Sequence, residues 1–175
     1  MRLNEKIYLE QYNPDWVLQF EEEKLKLQNK LNLYDVCCIE HIGSTAIPNI
    51  TAKPIVDILI GIKIYPPNED MLKVMKDTGY ANWDEAGIEG RIYLTKRNPD
   101  CFFNCHIVQY ESDIWNNNIL LRDYLIKHED EAMAYSELKQ KIIKQGVNDL
   151  LEYSNKKSEF ILALLEKARQ NNFSE

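Results

Sequence analysis

The sequence has no long apolar run. Its longest, Ile55 to Ile62, is short and is interrupted by Asp57, well below the ~20 apolar residues that span a bilayer. The opening Met-Arg-Leu-Asn-Glu-Lys alternates charges and has no apolar core behind it. The pattern of a secretory signal is therefore missing, and a cytoplasmic location without membrane contact is expected. Basic excess is missing as well: 21 Lys and Arg stand against 28 Asp and Glu, a net charge of −7. A broad nucleic-acid surface needs a basic face, so no such partner is expected, although a local basic pocket is compatible with the balance. Gly and Pro number only six each among 175 residues, which excludes collagen-like and low-complexity chains. Cysteine is sparse too. Cys37 and Cys38 are adjacent and Cys101 and Cys105 are four apart, so the C-x-x-C spacing of redox and zinc sites does not occur. On one strand the sulfurs of Cys101 and Cys105 would lie about 13 Å apart at ~3.3 Å per residue, too far to share a metal. Reduced, mostly buried thiols are expected.

The residues that are present pattern as a single domain over 1–175. Asn13-Pro14-Asp15 has the form of a helix start, and Trp16, Phe20, Leu27 and Leu31 recur near helical period with Glu21 to Lys24 outside. Val36 to Ile42 is rich in strand formers and stops at Gly43-Ser44. Pro48 and Pro54 leave little room for regular helix between them. Ile55 to Ile60 is apolar at almost every position, as in an interior strand covered on both faces. A helix through Met71 and Met75 closed by Gly79 follows. Strands are expected at Tyr80–Trp83, Arg91–Thr95 and Phe102–Gln109. Residues 112–171 are mostly helical, in three helices, the last capped by Asn148. The fold class is α+β: a mixed sheet flanked by helices, with a helical C-terminal third.

One segment carries chemistry: Glu40-His41-Ile42-Gly43-Ser44-Thr45-Ala46-Ile47-Pro48, then Lys53-Pro54-Ile55-Val56-Asp57. Gly43 lets backbone approach a phosphate with no Cβ in the way. The N–H groups and hydroxyls of Ser44 and Thr45 can donate to phosphate oxygens. Asp57 on a buried strand needs something to offset its charge, either a cation such as Mg2+ or a structural partner such as Lys53 or Arg91. Lys53 precedes Pro54 on extended chain and can reach a phosphate. Tyr135 and Lys139, four apart on one helix face, read as packing first and ligand contact second.

Ile42-Gly43-Ser44, a spacer of twelve and Asp57 resemble the nucleotidyltransferase superfamily signature. More specifically, the chain resembles the GrpB-like family of that fold, through Tyr12 to Trp16 and the block from Glu40 to Pro48. Ala52-Lys53-Pro54, Asp57, His106, Leu121 to Leu125, and Tyr135 with Lys139 extend the likeness. The resemblance implies a nucleotidyltransferase-like fold and a nucleotide or related phosphorylated small molecule as ligand. Some members are fused to dephospho-coenzyme A kinase, which points toward nucleotide or coenzyme A metabolism. It also implies Asp57 as metal ligand, with Mg2+ as cofactor, and Glu40, Asp57 and His106 as the catalytic group. His41, Gly43, Ser44, Thr45, Lys53 and Arg122 would bind the ligand. The superfamily pairs two carboxylates, whereas the residue two after Asp57 is Leu59. Three functions stay open: nucleoside monophosphate transfer to an acceptor hydroxyl, phosphoester hydrolysis, or a non-catalytic ligand-binding or interaction module.

Overall fold

The structure is a computed structural model that describes residues 7–99, 101–147 and 150–172, with backbone alone at 150, 151 and 172. The chain begins with helix α1 (Asp15–Lys30), strand β1 (Val36–Ile42) and a single 3-10 turn at Ser44–Ala46. Strand β2 (Val56–Ile62), helix α2 (Glu69–Asp77), the short β3 (Ala81–Asn82), β4 (Arg91–Arg97) and β5 (Phe102–Gln109) follow. Helices α3 (Asp113–Lys127), α4 (Glu129–Lys144) and α5 (Leu150–Asn172) complete it. The expected cap at Asn148 falls outside the described residues. At α1 the start is shifted by one: Pro14 takes the cap position, and the Asp15 N–H donates to Asn13 Oδ1 at 3.0 Å.

The five strands form one mixed sheet in the order β1-β2-β5-β4-β3. β2 and β5 run parallel, and the other pairs are antiparallel. β2 is thus interior, which explains its near-continuous apolar sequence. Alternation divides its residues between two faces. Val56, Ile58, Ile60 and Ile62 join Phe103, Cys105 and Ile107 in the main core, against Trp16, Phe20 and Leu27 of α1 and Met71 and Met75 of α2. On the other face Leu59 and Val108 pack with Ile42 under Trp115 of α3.

Gly61 makes that second layer close. A Cβ built there would lie 2.8 Å from Trp115 Cζ3 and 2.9 Å from Tyr110 Cδ2. Gly61→Val is therefore expected to push α3 off the sheet and to lower stability by about 1–3 kcal/mol, the usual effect of overpacking. Urea unfolding followed by tryptophan fluorescence measures it.

Two sequence expectations are corrected. Glu23, placed outside α1 by its period, is 2% exposed. Its Oε1 accepts from the Tyr80 hydroxyl at 3.0 Å and from Lys96 Nζ at 2.7 Å. The partners come from β4 and the segment after α2, so the helix's own pattern contains no trace of them. Cys37 is likewise exposed rather than buried, and all four cysteines are free thiols.

The helical third packs on the loop between β1 and β2. Ile47 and Ile50 of that loop join Tyr124 and Leu125 of α3, Ala132 and Tyr135 of α4, and Leu164 and Ala168 of α5. Ser136 fastens it further: its Oγ accepts from the Thr51 N–H at 3.0 Å and lies 2.8 Å from Thr51 Oγ1. This packing brings α4 and α5 to the end of β2 that bears Asp57. Among the described residues no helix is long and apolar enough to cross a membrane.

Candidate functional site

Strand pairing decides which side chains can meet. Asp57 is opposite Ile42 on β1 and Asn104 on β5, and His106 of β5 is opposite Leu59 on β2 and Tyr93 on β4. Paired residues share a face. Asp57, Asn104, His106 and Tyr93 therefore project from the Leu59 face, just beyond the part covered by Trp115.

Asp57 is about a quarter exposed, and its Oδ1 lies 3.8 Å from His106 Nε2. The same oxygen accepts from Asn104 Nδ2 at 2.8 Å, and Asn104 Oδ1 in turn accepts from Arg97 Nη2 at 2.9 Å. Burial works against ionisation of Asp57, but His106, Asn104 and Lys53 outweigh it and hold the carboxyl below its ordinary range. His106 packs on the Tyr93 ring, centroids 5.2 Å apart, and the Arg91 guanidinium lies 5.0 Å from the centroid of the same ring.

Gly43 closes the other side of the carboxylate. Its backbone has φ 71° and ψ −170°, a region essentially restricted to glycine. A Cβ there would come 2.4 Å from Asp57 Oδ2. The turn after β1 thus lies directly on the carboxylate. Ser44, the next residue, lies beside Tyr135 of α4. The structure brings Gly43, Ser44, Asp57 and His106 to one mouth at the ends of β1, β2 and β5.

Other residues singled out in the sequence are placed differently. His41 and Glu40 are consecutive on β1 and face opposite ways. His41 is buried on the α1 side, stacked on Phe20 at 4.8 Å, with Nε2 2.9 Å from Thr45 Oγ1. It braces Thr45, itself 1% exposed, from beneath the turn. Glu40 is on the Asp57 face, but Oε2 accepts from Arg122 Nη1 at 2.7 Å and Oε1 from the Cys38 thiol at 3.1 Å. Burial opposes its ionisation, and those two hydrogen bonds still hold it below the ordinary carboxylate range. A carboxylate held this way is a weak proton acceptor. Arg122 also donates to the His41 carbonyl at 3.1 Å and, from Nε, to Asp123 at 2.8 Å. Glu40 and Arg122 pin α3 to β1.

The depressed His41 has a measurable consequence. Burial, opposed by Asp57 and aided by Arg122, lowers its pKa to about 4. The folded state favours neutral imidazole, so this contribution is complete above the unfolded pKa near 6.5 and is lost as pH falls toward 4. About 2–3 kcal/mol of stability is expected to disappear between pH 7 and pH 4.5 through this group. Urea unfolding at the two pH values should show the loss, reduced in His41→Gln.

Leu59 occupies the position of a second carboxylate. It is 0% exposed and lies under Trp115 with Ile42 and Val108. Among the described residues no three His, Cys, Asp or Glu side chains are grouped to hold a metal. Among the described residues the donor set does not fit a pair of metal ions, and Asp57 is the one carboxylate at the mouth.

Sequence reading placed Lys139 in packing before ligand contact and did not single out Lys157. Lys139 of α4 is 1% exposed; its Nζ donates to the Thr51 carbonyl and lies 4.6 Å from the Tyr135 ring centroid. On α5, Lys157 Nζ lies 4.4 Å from the Tyr153 ring centroid, and Lys53 Nζ is 5.8 Å from the same ring. Tyr135-Lys139 and Tyr153-Lys157 share one Tyr-x-x-x-Lys spacing, a signal available in the sequence. A groove of about 710 Å³ also lies between α3 and the end of α5, lined by Asn116, Asp123, His128 and Arg169 among others. Asp57, Ser44 and His106 do not line it, and the convergent charges lie at the sheet mouth.

The chain matches the family described as "GrpB protein" over residues 6–167. It is 33% identical over 159 residues to the UPF0157 protein YqkA of Bacillus subtilis, covering 91% of this chain but 46% of that protein. It thus spans less than half the length of that relative. Against the glutamate-rich protein GrpB of Alkalihalophilus pseudofirmus the identity is 31% over 164 residues, with 91% of this chain and 94% of the relative covered. The crystal structure of conserved protein GrpB from Enterococcus faecalis superposes with a TM-score of 0.81 at 29% identity, over 95% of this chain and 99% of that one. A shared sheet and shared sequence over nearly the full length leave one assignment: the chain belongs to the GrpB family, a branch of the nucleotidyltransferase-like fold.

Proposed function

We propose that the chain binds a nucleotide or a related phosphorylated small molecule at the mouth formed by Gly43, Ser44 and Asp57. The observation that carries this reading is the Gly43 backbone, held at φ 71° against the Asp57 carboxylate. A conformation of that kind costs about 1–3 kcal/mol when a side chain is present, and such geometry clusters at ligand sites. In this reading a phosphate would sit beside Ser44, whose hydroxyl and backbone N–H would donate to its oxygens. Lys53 and Lys157 make the surroundings locally basic in an acidic chain.

In this reading Asp57 would hold at most one Mg2+, weakly. When bound, it would neutralise phosphate charge. His106 would accept the proton of an acceptor hydroxyl, and Asp57 and Tyr93 would orient the imidazole. In the transfer reaction the acceptor oxygen would bond to the α-phosphorus while pyrophosphate leaves. A non-catalytic binding module is the second reading, and buried Leu59 favours it, because the usual carboxylate pair is missing.

A thermal-shift screen of nucleoside triphosphates and coenzyme A precursors, with and without Mg2+ or Mn2+, tests the binding. A ligand at 100 times its Kd should add about 2.7 kcal/mol of apparent stability. A flat response to every phosphorylated compound would oppose the reading.

A further inference from the structure

Beside the part of the sheet covered by Trp115, the Leu59 face carries a guanidinium that the fold holds without neutralising. Strand pairing sets Arg91 of β4 opposite Val108, two residues from the Tyr93–His106 pair, so Arg91, Tyr93 and His106 project from one face. All three are partly exposed, whereas Leu94, Cys105 and Ile107 on the other face are buried. The side chains follow one another in series. The Arg91 guanidinium lies 5.0 Å from the Tyr93 ring centroid, that ring 5.2 Å from the His106 ring, and His106 Nε2 3.8 Å from Asp57 Oδ1. Trp83, half-buried, joins this face by donating from Nε1 to Thr95 Oγ1 at 2.8 Å. A partly buried arginine that serves the fold alone is usually paired with an acid. Arg91 is not. Its Nη2 donates to the neutral carbonyls of Glu85 at 3.1 Å and Ala86 at 3.4 Å, both at the surface, and its Nε is buried with no hydrogen-bond partner among the described residues. Glu85 turns its carboxylate away, with Oε1 accepting from the Gly90 N–H at 2.9 Å. Among the described residues no carboxylate ion-pairs with Arg91, Asp57 included. The loop that supplies the two carbonyls is strained: Asp84 and Ala86 have φ 53° and 44°, in the left-handed region that side chains rarely adopt, and strain of this kind clusters at ligand sites.

We propose that Arg91 is the anion-recognising residue of a second ligand subsite on this sheet face, which takes a hydroxyl compound carrying one carboxylate and presents its hydroxyl to His106. This rests on the reading of His106 as the group that meets an acceptor hydroxyl, and goes further by naming the class of compound that brings it. A guanidinium fork matches a carboxylate in shape and charge. Stacking on Tyr93 and the two loop carbonyls hold that fork in place before a ligand arrives. A single cation among Asp57, Asp84 and Glu85 favours a monoanion over a phosphate dianion. Positions two residues apart on a strand are separated by about 7 Å, which sets the span from carboxylate to hydroxyl. The rings of Trp83, Tyr93 and His106 suit a flat body between those two groups.

NMR titration with 4-hydroxybenzoate, whose carboxylate and hydroxyl stand at opposite ends of one ring, tests the subsite on wild type, Arg91→Gln and Arg91→Lys. In wild type the Arg91 Nε–H and His106 ring signals should shift together and saturate. Arg91→Gln should bind at least tenfold more weakly, and Arg91→Lys, which keeps the charge and loses the fork, should fall between the two. 4-Hydroxybenzyl alcohol, the uncharged counterpart, should bind wild type at least tenfold more weakly than the acid. That comparison needs no variant and stands even where Arg91→Gln fails to fold. No saturable shift in wild type, equal affinity in Arg91→Gln, or equal binding of acid and alcohol would overturn the subsite, and a shift at Arg91 with His106 unmoved would overturn the acceptor assignment. A parallel titration with ATP separates the two levels. ATP bound by wild type without binding of the acid removes the Arg91 subsite and leaves the Gly43–Ser44 site standing; acid bound without ATP removes the nucleotide reading and keeps the subsite.

Discussion

Gly43→Ala is expected to cost the protein both stability and ligand binding. Alanine would have to adopt φ 71°, and its Cβ would lie 2.4 Å from Asp57 Oδ2. The backbone conformation alone is worth about 1–3 kcal/mol, and the carboxylate must also move. Moving it breaks the 2.8 Å hydrogen bond from Asn104 and separates Asp57 from His106. A loss of roughly 2–4 kcal/mol follows, the strain and one charge-assisted hydrogen bond together. Urea unfolding measures the stability, and thermal shift with the best ligand of the screen measures the binding. An alanine variant as stable as wild type would mean that the turn relaxes at little cost.

The second large effect concerns Leu59. From the strand pattern alone, Leu59→Asp would supply the missing carboxylate and strengthen metal binding. The structure reverses that expectation, because Leu59 is enclosed by Ile42, Val108 and Trp115. An aspartate there would be an unpaired charge in apolar surroundings, expected to cost roughly 3–5 kcal/mol. Reduced stability without tighter Mn2+ binding is the expected outcome, read by thermal melting and calorimetry. Two tightly bound Mn2+ ions in a stable Leu59→Asp protein would show that Trp115 yields and that a two-metal centre can be rebuilt.

The parts of the fold visible in the sequence are those set by local pattern. β1 and β5 run from Val36 to Ile42 and from Phe102 to Gln109, the spans marked by their strand-forming residues. The interior place of β2 follows from apolar residues on both faces. Glu23 was hidden because helical period cannot show a partner 57 residues away, as Tyr80 is. In the site, Gly43, Ser44 and Asp57 were legible because a glycine turn and a buried acid are unusual on their own. His41 and Glu40 were harder to sort, although strand alternation already sends neighbours to opposite faces. Lys139 read as packing from its spacing to Tyr135, but the depth of its burial depends on how α4 meets the Thr51 loop, which no local pattern encodes.

Calorimetric titration of ATP with Mg2+ into wild type and into the Ser44→Ala/Asp57→Asn double variant tests the ligand site most directly. Both side chains are partly exposed, so the variant should fold. Wild type should bind one equivalent and the variant should bind at least tenfold more weakly, about 1.4 kcal/mol. Equal affinity in the two proteins would place the nucleotide elsewhere and contradict the site.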